Sequence, residues 1–288
     1  ELKDFIVERY GGGSYTKEIR SEEYYFVESA TWGAVSSGPP SFRYTPPGFI
    51  FSSGGSSLFS DSSLLRVLGS LNSSPVSRLL QAMTPTMNFV PGDVARRPVV
   101  TAPELDDLVQ AAVAVAREDW NDRETSWDFT TNQLVALATS GRISDRVDDV
   151  RRNDLVRAAG LGALQAHIDT LVSLRLGLVE SAEDVHPVDM RAITIDANEL
   201  YEFPDRDEAE RIASKSRRLV ADFVSYAIGC MFGRYSLDEP GLILADQGAT
   251  LQDYLANVPQ PTFAPDADNV LPIVDGDWFE DDIVARFR

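Results

Sequence analysis

Along this chain the spacing of apolar residues changes near residue 64, and that change restricts the fold more than any other feature. Before it, apolar residues come in short β-branched or aromatic runs at Tyr24–Val27, Thr31–Val35, Phe42–Tyr44 and Phe49–Phe51. Gly38-Pro39-Pro40, Pro46-Pro47-Gly48 and Gly54-Gly55 punctuate these runs as turns. After it, apolar residues recur at helical spacing. Leu64, Leu65, Leu68 and Leu71 make one stripe, and Val76, Leu79, Leu80 and Met83 a second. Asp61 or Ser62 is expected to cap the first helix, and Pro75 to open the second. Three longer helices are expected at Leu105–Trp120, 153–179 and Arg206–Phe232, with a single helical turn near Asp93–Arg96. Residues 2–9 read as the end of a helix stopped by Gly11-Gly12-Gly13. Residues 121–152 read as loop-rich, and Ala192–Ile195 as a strand. The expected fold class is α+β, with a β-rich lobe followed by a mainly helical domain.

Charge divides the chain in a similar place. Among 288 residues the formal net charge is −19. Residues 1–100 carry nine acids and nine bases, whereas residues 101–288 carry 36 acids and 17 bases. We therefore read two domains, 1–100 and 101–288, each needing its own functional account. The acidic balance argues against adsorption to an anionic membrane and against nucleic-acid binding through an overall basic surface. The most apolar stretch, Leu219 to Phe232, is too short for a transmembrane helix and contains Asp222. No secretory signal is visible, and a single cysteine, Cys230, allows no intrachain disulfide, which fits a cytoplasmic protein. The first residues sit inside a helical pattern with no Met, so the chain is expected to be a fragment.

Catalytic constellations are sparse. Two histidines and one cysteine cannot make a His/Cys zinc site. His167 reads as a packed helix histidine, His186 lies in an acidic loop, and Cys230 reads as a small buried hydrophobe. No G-x-S-x-G elbow occurs. Gly11–Gly13, Gly54-Gly55-Ser56-Ser57 and Gly160-Leu161-Gly162 lack the Lys and the strand–turn–helix context of a phosphate loop. The carboxylate groups Asp145/Asp148/Asp149 and Asp275/Asp277/Glu280/Asp281/Asp282 do not match an EF-hand and read as solvated acidic faces. Trp32, Trp120, Trp127 and Phe129 read as core.

The first hundred residues differ. Lys17, Arg20 and Arg43 are interleaved with Tyr10, Tyr15, Tyr24, Tyr25, Phe42 and Tyr44, and hydroxyls are dense from Ser29 to Ser63. Arg and Lys neutralise phosphates, while Ser, Thr and Asn position the backbone or read base edges. The expected DNA-contact set is Lys17, Arg20, Ser36, Ser37, Arg43, Ser56, Ser57 and Asn88. Turn hydrogen bonding is the alternative role for each.

Several runs carry a family likeness. They are Glu22-Glu23-Tyr24-Tyr25-Phe26, Thr31-Trp32-Gly33-Ala34-Val35-Ser36-Ser37-Gly38, Phe42-Arg43-Tyr44, Gly48-Phe49-Ile50-Phe51 and Gly54-Gly55-Ser56-Ser57-Leu58-Phe59. Further along come Leu68-Gly69-Ser70-Leu71-Asn72-Ser73, Pro85-Thr86-Met87-Asn88-Phe89-Val90-Pro91-Gly92-Asp93-Val94, Glu118-Asp119-Trp120 with Glu124-Thr125-Ser126-Trp127-Asp128-Phe129, and Ser225 through Asp238. In this order they resemble the region after the catalytic domain of the BREX/phage-growth-limitation adenine methyltransferases (PglX), which are similar to single-chain type II restriction-modification methylases. The likeness covers most of residues 1–130 and 217–288. Residues 1–100 also look like half of a type I restriction specificity subunit.

The resemblance implies a target-recognition domain at 1–100 and a C-terminal domain at 101–288. The family methylates adenine N6 from S-adenosylmethionine in phage defence, flipping the adenine into its pocket. Its cofactor and N-P-P-Y-like motifs do not occur in this sequence. The chain is therefore expected to bind no cofactor and to be inactive alone, with S-adenosylmethionine held by an upstream methyltransferase domain. The implied partners are double-stranded DNA, that upstream domain and other defence-system proteins. The alternative is a protein–protein interaction module without DNA readout.

Overall fold

In the computed structural model, all residues are described except 37, 53, 85–86, 138–140, 275–277, 280–281 and 288, and Lys17 only through its backbone. The fold is α+β: a small antiparallel sheet and a larger helical complement. By internal contacts the chain forms two units, residues 1–113 with 164–188, and residues 114–163 with 189–288. The helical half of the chain thus lends residues 164–188 to the unit that holds the sheet.

In the first unit, β1 (Ser29–Gly33) lies between β2 (Arg43–Thr45) and β3 (Gly55–Leu58). The register sets Thr31 opposite Arg43 on one side and opposite Ser57 on the other. The strand expected at Thr31–Val35 begins two residues earlier, and that at Phe42–Tyr44 is shifted by one. Tyr24–Val27 and Phe49–Phe51 are not strands, because Glu22–Tyr24 closes a 3-10 turn and both segments lie beyond the ladder. The third strand is instead Gly55–Leu58, whose glycine and serines have low strand propensity but meet the free edge of β1.

α1 (Leu2–Arg9) ends where Gly11 and Gly12 take positive φ, as expected. α2 (Leu64–Asn72) and α3 (Ser74–Met83) follow the two leucine-rich stripes. The cap of α2 is Ser63 rather than Asp61 or Ser62, its Oγ accepting from Arg66 N at 3.4 Å and donating to Asp106 at 2.5 Å. α4 (Pro91–Val94) is one turn, and α5 (Glu104–Asn121) is the strong helix expected. Ala30, Trp32 and Phe42 pack with Leu68, Leu71, Leu80, Leu105 and Val109, and with Ile168 and Val172, into one core. Trp32 Nε1 donates to Phe89 O at 2.8 Å, which pays the cost of burying the indole N–H. The side chain of Asn72 clasps Phe42, accepting its N–H at 3.0 Å and donating to its carbonyl at 2.9 Å.

The second unit contains α6 (Gln133–Ala136), α8 (Glu199–Glu202), α9 (Glu208–Met231), α10 (Leu251–Asn257) and α11 (Ile283–Phe287). It also holds the first part of α7 (Ile143–Arg175), so the last ten residues of the loop expected at 121–152 are helix, and the helix expected at 153–179 starts earlier and ends at Arg175. Ala192–Ile195 is not a strand: Met190–Ala192 is a 3-10 turn, tied down by Asn198 Nδ2 donating to the carbonyls of Met190 and Ile193. Tyr226, Tyr235, Phe129 and Cys230 form one cluster, with the two tyrosine rings stacked at 5.2 Å. Leu134, Val147, Val150 and Leu219 form another. No helix among the described residues is long and apolar enough to cross a membrane.

Candidate nucleic-acid interface

Side chains alternate across a strand, so the register sorts the sheet into two faces. Ala30 and Trp32 are buried, and Tyr44 and Leu58, opposite Ala30, pack on the same core. The odd-numbered row therefore points the other way: Arg43, Thr31 and Ser57 lie side by side on the outer face. Arg43 is exposed and Thr31 and Ser57 are half-buried. The Thr31 hydroxyl donates to Ser56 O at 2.9 Å. The next row on this face is Gly33 and Gly55. A Cβ at Gly33 would meet nothing nearer than 3.6 Å, and one at Gly55 nothing nearer than 3.7 Å. Neither glycine is required by packing, and together they leave a shallow floor where another backbone can approach. Past the other end of β3, Tyr24 stacks on Phe59 at 4.6 Å.

Beyond Gly33 the chain pairs with a second segment. Val35 bridges Asn88, Ser36 N donates to Met87 O at 2.9 Å, and Phe89 N donates to Ala34 O at 2.9 Å. This brings Ser36 and Asn88 together at the Gly33 end of β1, with Asn88 exposed. Ser36 Oγ also accepts from Gly38 N at 3.2 Å, a turn-forming bond.

Of the eight residues expected from sequence, Arg43 and Ser57 thus share one row, and Ser36 and Asn88 meet beyond it. Ser56 sits opposite Trp32, in the core-facing row. Arg20 is exposed in the turn before Ser21, away from the strands in sequence. Ser37 and the Lys17 side chain lie outside the described residues. Thr31 stands in the same row without having been expected there; its only sequence signal is its position between two core residues, Ala30 and Trp32.

The second unit is built around buried charge. Lys215 Nζ lies 3.0 Å from Asp154, 3.4 Å from Glu202 and 2.8 Å from Asp196 O. Arg157 reaches Asp122 at 2.5 Å, and Asp119 accepts the N–H groups of Asp196 and Ala197, both at 2.8 Å. Burial pushes the carboxyls of Asp119 and Asp154 above the usual range, and Lys215 and Arg157 only partly offset it at Asp154. Burial likewise pushes the Cys230 thiol up to about 11, so it behaves as the inert hydrophobe expected.

Two expectations are corrected here. His167 is exposed rather than packed. Trp32 and Phe129 are core, but Trp120 is 53% exposed and Trp127 is 93% exposed. Both tryptophans lie at the C-terminal end of α5 and in the turn after it, where side chains leave the packed face. Among the described residues, no group of His, Cys, Asp or Glu is arranged to hold a metal ion. Asp149 pairs with Arg152 at 2.8 Å along a helix face, and Asp282 accepts Val284 N at 2.9 Å at the start of α11. Asp275, Asp277, Glu280 and Asp281 lie outside the described residues.

No family model matches the chain. Two curated proteins do. The chain is 32% identical over 281 residues to the adenine-specific methyltransferase BrxX of Escherichia coli O9:H4 (strain HS). It is 35% identical over 293 residues to the adenine-specific methyltransferase PglX of Lacticaseibacillus casei (strain Zhang). The alignments take in 94% and 95% of this chain but 22% of each relative. The chain therefore spans about a fifth of the length of the proteins it matches, and over nearly all of its own length it is similar to one segment of two adenine-specific methyltransferases.

Proposed function

We propose that the sheet-bearing part of this chain reads a short sequence in double-stranded DNA for an adenine-N6 methyltransferase of a cytoplasmic phage-defence system. The observation that carries this reading is the outward row Arg43–Thr31–Ser57 over the floor of Gly33 and Gly55. A guanidinium fork in the major groove grips guanine O6 and N7, and neighbouring hydroxyls take base edges or phosphate. Ser36 and Asn88 extend the contact past the end of β1. Lys17, Arg20 and Ser37 complete the proposed set, mainly as phosphate contacts that fix register, while Ser56, in the core-facing row, is left out of it. Residues 1–100 are the recognition domain in this reading. The acidic remainder, 101–288, meets the methyltransferase domain or another defence protein. The methyl donor and the catalytic groups belong to the rest of the enzyme, and this chain alone transfers no methyl group.

The test is a selection from randomised duplexes over a salt series, run with this chain and with the full-length polypeptide that contains it. Sequence-selective binding that weakens with salt is the expected result. Absence of selective binding by both proteins rejects the proposal. Methylation of adenine by the isolated chain would overturn the division of labour.

A second reading, a protein-interaction module without DNA readout, is favoured by one observation. Trp127, almost fully exposed, sits on a turn held by Ser126 Oγ bonded to Asn121 at 2.8 Å and by an Arg117–Asp128 pair at 2.7 Å. An aromatic side chain presented on a pre-ordered turn is the usual make-up of an interface hot spot.

A further inference from the structure

Phe26 is held in a conformation that an ordinary side chain avoids. Its φ is +64°, and among the described non-glycine residues only Ser21 and Asn269 share that sign. A left-handed residue brings its Cβ against the following carbonyl, and for a bulky side chain this is a true outlier. Neighbouring backbone enforces it. Phe26 N donates to Phe49 O at 3.0 Å, and Phe26 O accepts from Gly48 N at 3.1 Å, Gly48 itself having φ +106°. The Pro46-Pro47 pair stiffens the same turn.

Burial does not repay this strain. Phe26 is 58% exposed, and Phe49 and Ile50 beside it are also exposed. The ring makes an edge contact with Tyr25 at 6.4 Å. The fold therefore holds three apolar side chains outward on a clamped turn, where strain is more often functional than accidental.

The turn continues the β1–β2 hairpin rather than either row: alternation would set Phe26 with Ala30 and Trp32, and the left-handed backbone at Phe26 breaks that alternation and leaves the ring exposed. The β1–β2 register runs Thr31↔Arg43, then Ser29↔Thr45, and carried three residues further it sets Phe26 opposite Gly48. Phe26 is five residues from Thr31, a reach of at most about 18 Å. That is about five base pairs at 3.4 Å per step. Nearby acids are mostly engaged: Glu22 pairs with Lys3 at 2.6 Å, and Glu28 accepts from Tyr44 Oη at 2.9 Å.

Building on the DNA reading above, we infer that Phe26, supported by Phe49 and Ile50, is an apolar wedge that enters a base step of the duplex. The step lies within about five base pairs of the position read by Arg43. Wedging unstacks the step and kinks the duplex. Flexible pyrimidine–purine steps, being easiest to open, are preferred there.

The experiment uses the full-length polypeptide and a duplex drawn from the selection. 2-Aminopurine is scanned through the site, and bending is read by energy transfer between the duplex ends. The wild type is expected to raise 2-aminopurine emission at one step and to bend the duplex. Phe26→Gly removes the strained Cβ, so it keeps or raises the melting temperature, but it loses both signals and about tenfold in affinity. Arg43→Ala weakens binding, and at saturating protein it keeps the emission rise. If no sequence is selected at all, the underlying DNA reading fails. If selective binding occurs but no step is unstacked, or if Phe26→Gly still unstacks it, the wedge alone is rejected.

Discussion

Asp169 on α7 caps α3, a helix that begins 95 residues earlier at Ser74. Its Oδ1 accepts Ser74 N at 2.8 Å, its Oδ2 accepts Ser74 Oγ at 2.5 Å, and Gln165 Nε2 donates to it at 2.8 Å. The residue in the cap position, Ser73, makes no side-chain cap bond, so the distant carboxylate supplies the acceptor and the negative charge that the helix start favours. Asp169 is almost wholly buried. Asp169→Ala is expected to lower stability by roughly 2–3 kcal/mol, the order of a buried charged hydrogen-bond set. Asp169→Asn, which keeps one acceptor, loses less. Urea unfolding of the two variants checks the order.

Asp154 makes stability depend on pH in the less usual direction. Desolvation raises its folded pKa above the unfolded value, despite Lys215 at 3.0 Å. The folded state therefore binds this proton more readily than the unfolded state does. As pH falls through the folded pKa towards the unfolded value near 3.8, the group's contribution moves in favour of folding. Asp154→Asn has no such proton to gain. Wild type should therefore gain on the variant between pH 7 and 4, in paired urea titrations. A constant gap across that range contradicts the account. Acid loss of stability should come from the carboxyls held low by hydrogen bonds, Asp106 by Ser63 and Asp238 by Thr262.

Two helical glycines should respond differently to alanine. At Gly69 a Cβ would lie 2.5 Å from Val109 Cγ2, inside the first core. Val109 is β-branched and enclosed, so Gly69→Ala is expected to cost about 1–3 kcal/mol through overpacking. At Gly162 the nearest atom is Met190 Sδ at 2.7 Å, the far end of a flexible thioether. Met190 can move aside, and alanine gains up to about 1 kcal/mol of helix propensity, so Gly162→Ala should be near neutral. Thermal melting of the pair decides it.

On the proposed DNA reading, the sheet's two faces divide readout from packing. Arg43→Ala should reduce discrimination at one base pair by about 1–3 kcal/mol. Ser57→Ala, on the same row, should change discrimination by a smaller amount. Ser56→Ala, opposite Trp32, should leave base discrimination unchanged. Competition binding between matched and single-mismatch duplexes measures all three. Equal losses at Ser56 and Ser57 would mean that the register does not organise the contact.

Long periodic segments were readable from sequence because one stripe of apolar residues decides them. α5 and α9 differ from expectation by one or two residues at each end. β3 was not readable: Gly55, Ser56, Ser57 and Leu58 form a strand because β1 offers an edge, a tertiary cause with no local signature. The expected contact residues were chosen by type, and type does not reveal parity. Ser56 and Ser57 look alike in sequence, yet pairing sends one towards Trp32 and the other outward. Trp127 shows the reverse error, since hydrophobicity alone suggested a core residue and only the turn around it explains its exposure. The resemblance pointed to adenine-specific methyltransferases, and both relatives carry that name.

The Asn72–Phe42 clasp has a consequence for solubility. A three-stranded sheet has two open edges, and each can recruit a stray strand from another molecule. At the entry to β2 that route is closed. Both main-chain groups of Phe42 are already taken by one amide, at 3.0 and 2.9 Å. An incoming strand finds neither donor nor acceptor there, so a side chain from α2 guards this edge against aggregation.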